Sequence, residues 1–439
     1  MKVLKRILLL IAVAIIIFVF FNYPKLNILS GYAAKNTGSS VFLAGRTLAF
    51  TDSTDNNFSP VNLATNAVNK EEQYATSSAL GLLTRKAVYR EGLGAVLVNK
   101  DYDPSETPLV PKRSKPDNTS PYPFGNGAQK DTVFANVDYE KLNKKVNSIF
   151  NTRNKTRAVV VIYKGQIIAE QYAEGFNKDS RILGWSMTKS IMSTVFGVMQ
   201  HQGKINVQDK APIAAWQNDD RKEITIHNLL QMNSGLEWDE NYDEISDVTK
   251  MLFLENDMTQ MQIDKPFVGK INETWNYSSG TSNLLSGILR QELGSQQEYL
   301  DYWYREFIDK IGMNSMVLET DMTGHYVGSS YAWATPRDWG KFGLLYLNRG
   351  NWNGEQIFAA QWTDYVAQPT PTSRGTYGAQ FWLNAEGKFK DLPRNMFYAD
   401  GYQGQFVFVI PDKDLVVVRM ALSWLDINDF LRDVIGSIE

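Results

Sequence analysis

The stretch Gly184-Trp185-Ser186-Met187-Thr188-Lys189-Ser190 (GWSMTKS) sets a serine three residues ahead of a lysine, at the head of an apolar helical stripe formed by Met187, Ile191, Val195, Val198 and Met199. Residues three apart on a helix share one face, one turn apart, so the Lys189 ammonium can approach the Ser186 hydroxyl. That is the spacing of a nucleophile beside its base. A helix start also offers free backbone N–H groups and the positive end of the dipole, both favourable to an oxyanion. Lysine is a poor base at its ordinary pKa of ~10.4, and bringing it near neutrality costs ~4 kcal/mol, which requires an enclosed site. The plainer alternative is a polar helix start with a surface lysine one turn on. Ser-x-x-Lys alone is too short to choose between the two.

Outward from this stretch the pattern is regular. Leu142, Val146, Ile149 and Phe150 line one face of a helix, and RAVVVIYKGQIIAEQYAEGF (157–176) reads as two strands meeting at Lys164-Gly165. Helices are expected over 226–232, 283–293 and 298–311. Near the end, QFVFVI (405–410) and LVVVRMAL (415–422) are strands joined by Pro411-Asp412-Lys413-Asp414, and 425–438 reads as a closing helix. Strands at both ends of a helical middle predict an α+β domain whose single antiparallel sheet is drawn from both termini.

The preceding third of the chain differs. Lys2, Lys5 and Arg6 lead an unbroken apolar run from Ile7 to Phe21, which fits a signal peptide or a retained membrane anchor. The nearest small-x-small site, Gly31-Tyr32-Ala33, lies far beyond the run, which favours an anchor through residues 4–23, with the remainder exported to the periplasm and held at the inner (cytoplasmic) membrane. Residues 36–66 read as irregular structure with a few tethering strands, KAVYREGLGAVLV (86–98) as a hairpin, and the prolines from Pro104 to Pro123, including Pro116, as a linker or wrapping arm whose Lys112, Arg113 and Lys115 sit in a solvated loop. The expected organisation is thus 1–24 signal-anchor or signal peptide, 25–130 extension and linker, and 131–439 the main domain.

Composition narrows the chemistry. Among 439 residues, 45 basic and 48 acidic side chains leave a formal charge of -3, so no field recommends nucleic acid as a partner. There is no cysteine, which removes disulfides, thiolate metal sites and a cysteine nucleophile together. The three histidines, His201, His227 and His325, form no metal-ligand motif, so neither a metal nor a cofactor is expected. Thr188 occupies the final glycine position of a Gly-x-Ser-x-Gly elbow, which disfavours an α/β-hydrolase.

Two further stretches complete a set: WNYSSGTSNLL (275–285), with Tyr277 just before a helix, and ADGYQGQFVFVI (399–410), a glycine-rich entry into a strand. Ser-x-x-Lys, then Tyr-x-(Asn/Ser), then a small-residue strand carrying glycine, in that order, resembles the serine β-lactamase and penicillin-binding protein superfamily. Within it the chain looks most like the class C-related branch that includes esterases and aminohexanoate-oligomer hydrolases. ITIHNLLQMNSGL (224–236) and SSYAWATPRDWGKFGLLYLNRG (329–350) add to the likeness, which covers residues 131–439.

The resemblance implies an antiparallel sheet flanked by helices with an all-helical subdomain, and a serine hydrolase acting on a small amide or ester. It makes Ser186 the acylated nucleophile, Lys189 its proton acceptor, and Tyr277 the proton relay; which of Lys189 and Tyr277 is the principal base stays open. The backbone N–H groups of Ser186 and Tyr402 would form the oxyanion hole, with Ser279, Asp400, Gly401 and Gly404 toward substrate. There are two departures: Ser279 stands where the pattern has asparagine, and Ala399-Asp400-Gly401 stands where it has Lys-Thr-Gly. The usual anchor for a β-lactam carboxylate is missing. An ionised Asp400 facing the pocket would repel that carboxylate by about 4 kcal/mol at ~4 Å, unless Arg394 or Arg419 supplied a cation. A fold that has lost turnover and serves as a scaffold, or a true β-lactamase or D,D-peptidase, are the competing readings.

Overall fold

The computed structural model describes residues 2–114, 119–129 and 132–438; Lys115, Pro116 and the boundary residue Asp131 lie outside them. The chain divides into two compact units. The smaller comprises residues 1–90, 94–106 and 239–256, and the larger 91–93, 107–238 and 257–439.

The smaller unit opens with helix α1 (Lys2–Gly38), which carries Pro24 in its interior. Its parts Leu4–Ile17 and Asn22–Leu43 are bent by 43°. The bend lies next to the carbonyls that the Pro24 ring crowds. Among the described residues no single helix is long and apolar enough to cross a membrane, and only this bent pair passes that test together. Residues 36–66, expected to be irregular, instead continue α1, add a π-helical turn over Ser39–Leu43 and form α2 (Leu48–Ser53), capped by the Thr47 hydroxyl. Strands β1 (Ala64–Asn69), β2 (Tyr74–Ala79), β3 (Leu83–Arg90) and β4 (Gly94–Val98) follow as an antiparallel meander. The expected hairpin over 86–98 is its β3–β4 part. Small residues let α1 lie close on this sheet: Ala34, Ala87 and Ala95 form a buried cluster, and a Cβ on Gly38 would touch Ala95, Ala87 and Ala75.

In the larger unit, α3 (Tyr139–Ser148) precedes the hairpin β5 (Thr156–Tyr163) and β6 (Gln166–Tyr172), whose turn residues Lys164 and Gly165 both have positive φ. Then come β7 (Ile182–Leu183), α4 (Met187–His201) and α5 (Ile226–Leu230). Helix α6 (Asp247–Leu254) belongs to the smaller unit, where Tyr32 packs on Phe253. Back in the larger unit follow α7 (Met258–Ile263), α8 (Ser279–Glu292), α9 (Gln296–Trp303), β8 (Val317–Leu318), β9 (Ala332–Ala334) and α10 (Pro336–Leu347). The small hairpin β10 (Asn351–Trp352) and β11 (Glu355–Gln356), α11 (Ala360–Val366), β12 (Trp382–Leu383), β13 (Phe397–Gly401), β14 (Gln405–Ile410), β15 (Leu415–Ala421) and α12 (Ile427–Ile435) complete it.

Six strands form one antiparallel sheet in the order β12-β13-β14-β15-β5-β6, so the two ends of the larger unit meet in this sheet as expected, but it is not the only one: β7-β9-β8 and β10-β11 form two smaller sheets. Strand alternation divides the side chains of the six-stranded sheet between two cores. Val160, Ile162, Val407, Val416, Val418, Phe397 and Ala399 pack with α4 and α10. Val159, Val161, Phe406, Phe408, Val417 and Tyr398 pack with α3 and α12. Helix α10 reaches the sheet through glycine: a Cβ on Gly343 would press into Val416 and Val407. Arg113, read as part of a solvated loop, is instead paired with Asp309, donates to the Met316 carbonyl at 2.8 Å and lies over the Tyr304 ring. An Asp309 carboxylate buried in the same unit gives the guanidinium a better partner than water.

Candidate active site

Helix α4 is buried from Met187 to Met199, an unusual setting for a helix start with a spare serine. Ser186 occupies its N-cap position in helical conformation and makes no side-chain capping bond, so its hydroxyl is not spent on the helix. Trp185, just before it, holds φ at +48°, a left-handed conformation that a bulky side chain adopts only at a cost. The turn is held from behind. Gly184 N–H donates to the Ala332 carbonyl at 2.8 Å, and the Thr188 hydroxyl donates to Trp185 O at 2.7 Å while accepting from Ala332 N–H at 2.9 Å.

Lys189 is 1% exposed, and its ammonium is 3.0 Å from each of Ser186 Oγ, Ser279 Oγ and the Ser329 carbonyl. It also lies 4.9 Å from the centre of the Tyr277 ring. Asn283 Oδ1 accepts from Ser329 N–H at 3.0 Å and so ties the backbone of this residue to α8. The surface-lysine alternative for Ser-x-x-Lys is excluded by this burial. Tyr277 stands at the end of the loop leading to α8, half-buried, with its ring against Tyr377 and Trp382 at 5.6 and 5.3 Å. Ser278 caps α8 by accepting from Thr281 N–H at 2.9 Å.

On the far side, β13 ends against the nucleophile turn. A Cβ on Gly401 would collide with the Gly184 carbonyl, so only glycine allows this approach. The contact brings Tyr402 beside Trp185, their rings 5.7 Å apart and edge to face. The Ser186 N–H has no hydrogen-bond partner among the described residues. The geometry therefore gathers Ser186, Lys189, Tyr277, Ser279, Gly401 and Tyr402 around one turn.

Of the other expected substrate-facing residues, Ser279 stands at the lysine, and Gly404 and Asp400 stand away from the turn. Ser279 is fully buried, with its hydroxyl on Lys189. Gly404 has φ +83° in the β13–β14 turn, and a Cβ there would meet Arg419 and the Ser423 carbonyl. Asp400 shares its sheet face with Tyr398 and pairs with Phe406, opposite to the face on which Ala399 and Gly401 meet α4. It does not aim at Ser186. Burial raises its carboxyl to about 7, with nearby Lys388 pulling the other way, so the repulsion expected of a permanently ionised Asp400 loses its basis. Arg419 is no substitute cation: fully buried, it donates to the backbone carbonyls of Gly404, Ser423 and Asn154 at 3.0, 3.0 and 2.9 Å. Arg394 lies against Gly387, in the loop after β12.

Sequence reasoning missed the support around the pair. Gln380, with φ +67°, accepts from Ser190 on α4 through its backbone and from Ser282 on α8 through its side chain, both at 2.8 Å. It ties the nucleophile helix to the helix that carries Ser279. Ser190, Ser282, Asn283 and Ser329 all stood in stretches already singled out, and Gln380 alone of these did not. Of the histidines, His227 Nδ1 lies 2.9 Å from Tyr365 Oη, a packing role. His325 joins Asp257 and Asp321, their ligand atoms within 4.8 Å of one another, a grouping no spacing announced. Asp321 Oδ1 there already accepts from Thr323 and from His325 N–H.

Comparison with known proteins assigns the arrangement. Residues 147–432 match the model of the Beta-lactamase family. The chain belongs to the beta-lactamase family. A 6-aminohexanoate-dimer hydrolase of Paenarthrobacter ureafaciens is 23% identical over 304 residues, 62% of this chain and 73% of that protein. Among solved structures, a provisionally named 6-aminohexanoate-dimer hydrolase of Bacillus anthracis superposes with a TM-score of 0.60 at 20% identity, covering 74% of this chain and 89% of its own. EstCE1, a hydrolase with promiscuous acyltransferase activity, superposes at 0.56 with 12% identity, covering 68% and 99%. The family's mixed fold is the one found here, and its members with these names are hydrolases.

Proposed function

We propose that this chain is a serine hydrolase that cleaves an amide or ester bond of a small linear substrate through an acyl-enzyme on Ser186. The observation that carries this is the uncapped Ser186 hydroxyl 3.0 Å from a buried Lys189 whose partners include Ser279 Oγ and Ser329 O. An ammonium offers three donors and a neutral amine two with one lone pair. Lys189, 3.0 Å from Ser186 Oγ, takes the hydroxyl proton in its neutral form as the oxygen attacks the carbonyl carbon. The oxyanion that forms is met by the Ser186 and Tyr402 amides. Tyr277, over the same ammonium, passes a proton to the leaving amine or alcohol and later accepts one from the hydrolytic water. No metal or organic cofactor takes part.

The names of the relatives favour a linear amide or an ester over a β-lactam, as does the absence of the Lys-Thr pair at Ala399-Asp400. We further read the protein as exported and anchored in the cytoplasmic membrane by residues 4–23, where Leu4, Leu9, Leu10, Ile16 and Phe20 are all exposed. A serine-reactive phosphonate should label the full chain at Ser186 and fail to label Ser186→Ala. Equal labelling of both proteins refutes the nucleophile, and hydrolysis of a chromogenic cephalosporin faster than of a nitrophenyl ester or an aminohexanoate dimer refutes the substrate class.

A further inference from the structure

The turn between β2 and β3 is built from residues that a water-exposed turn does not favour. Leu80 and Gly81 have φ of +52° and +69°, and Leu82 N–H closes the turn on the Ala79 carbonyl at 2.9 Å. Such a position favours asparagine, aspartate or glycine; a leucine there carries the penalty of the left-handed region. Yet Leu80 is 59% exposed and Leu82 73%, and Leu63, next to Ala64 that pairs with Ala79, is 52% exposed. Three leucines therefore stand together in water at one end of the four-stranded sheet, on a turn that would be more comfortable without them. The opposite end of the same sheet, the β1–β2 turn, carries the exposed Lys70, Glu71 and Glu72. The two ends differ in chemistry.

Helix α1 says what faces the apolar end. The sites beside Gly38 are Ala75, Ala87 and Ala95, while Ser30 bonds to the Leu83 carbonyl at 2.7 Å and to Ala79 N–H at 3.1 Å. From Gly38 to Ser30 the helix spans about 12 Å, and from Ala75 to Ala79 the strand spans about 13 Å. The axes therefore run together, and the turn lies on the side of Ser30 toward the N-terminal part of α1, where Leu4, Leu9, Leu10, Ile16 and Phe20 are exposed. From Ser30 to Phe21 the helix covers about 14 Å; the turn extends past Ala79 by roughly a strand residue or two, ~3–7 Å, before its side chains reach further. The leucines thus end within about 10 Å of the apolar run, and the headgroup layer on each side of a bilayer is ~5–8 Å thick.

We infer that Leu63, Leu80 and Leu82 form a second membrane contact, dipping into the headgroup region of the same bilayer that takes the N-terminal part of α1. This rests on the anchor reading above. The contact gives the sheet a fixed standing on the membrane, so that α1 is not a lone tether. The occupant is lipid because the patch lies at the end of the sheet toward the apolar run of α1 and away from the charged β1–β2 turn.

The chain has no cysteine, so Leu82→Cys and Glu72→Cys, each carrying a nitroxide, report single positions in the full chain reconstituted into phosphatidylethanolamine and phosphatidylglycerol vesicles. Both sites lie on exposed turns, so the label leaves the core untouched. The expected result is that the label at 82 collides more with bilayer-dissolved oxygen than with a water-soluble nickel chelate, and the label at 72 does the reverse. A chain that floats with vesicles while both labels behave as water-exposed overturns the inference and leaves the anchor intact. A chain that does not float with vesicles overturns the anchor reading and this one with it. Spin–spin broadening at 82 that grows with protein concentration and is indifferent to lipid assigns the patch to a second copy of the chain, and likewise overturns the inference.

Discussion

Replacing Gly401 by alanine puts a Cβ into the carbonyl of Gly184, with the Gln405 Cβ another 3.0 Å away. Neither neighbour yields easily: the Gly184 carbonyl is backbone and already accepts from Met187 N–H at 3.2 Å, and Gln405 is pinned by bonds to Tyr402 O and across to Ala421. The end of β13 must therefore retreat from the nucleophile turn by roughly 1 Å, a displacement that can cost about 10²-fold in rate. It carries the Tyr402 amide with it. If that amide is an oxyanion donor, its loss is worth about 3 kcal/mol, or 10²–10³ in acylation rate, beyond an overpacking cost of ~1–3 kcal/mol in stability. Stopped-flow acylation by a nitrophenyl ester, with thermal melting to verify folding, measures both. Gly404→Ala is the control: it strains a positive-φ turn and crowds Arg419, so it lowers Tm with a smaller effect on acylation. A folded Gly401→Ala protein acylated within about threefold of wild type would refute the oxyanion role of this strand end.

Ser279→Ala removes the hydroxyl that accepts from Lys189, a bond worth about 0.5–1.5 kcal/mol, and should slow phosphonate labelling of Ser186 by roughly 2–10-fold; an unchanged labelling rate would detach Ser279 from the lysine's function. Asp400 titrates at about 7 in the folded chain, against ~3.9 unfolded. The folded state binds the extra proton, so the stability it lends is present below about pH 4 and is lost as pH rises through 7. Asp400→Asn should therefore raise Tm near pH 8, by at most ~4 kcal/mol of stability, and change it little near pH 4; parallel Tm–pH curves for the two proteins would contradict the burial of that carboxyl.

Much of this protein is legible locally. The alternation in RAVVVIYKGQIIAEQY, QFVFVI and LVVVRMAL and the stripe after Ser186 specify strands and helix because burial on one or both faces repeats at their own periods, and the structure has β5, β6, β14, β15 and α4 in those places. The order and types of Ser186, Lys189, Tyr277 and Gly401 carry the family resemblance from which the candidate site is drawn, and the folded unit brings them around one turn. What spacing does not contain is direction. Whether Ser279 faces substrate or lysine, and whether Asp400 faces the pocket or the opposite core, depends on strand parity relative to a packed helix, and a one-residue step on a strand reverses it. The burial of Lys189 is likewise collective: it needs Ser329 from the loop before β9, Asn283 from α8 and Gln380 from a left-handed bend, segments that meet only in the folded unit. The long α1 escaped the sequence reading from residue 25 onward because its Gly, Ser, Asn and Thr content signals a loop to local propensity. Those small residues are instead what lets the helix lie close against the alanines of a sheet, a contact that exists only after both have formed.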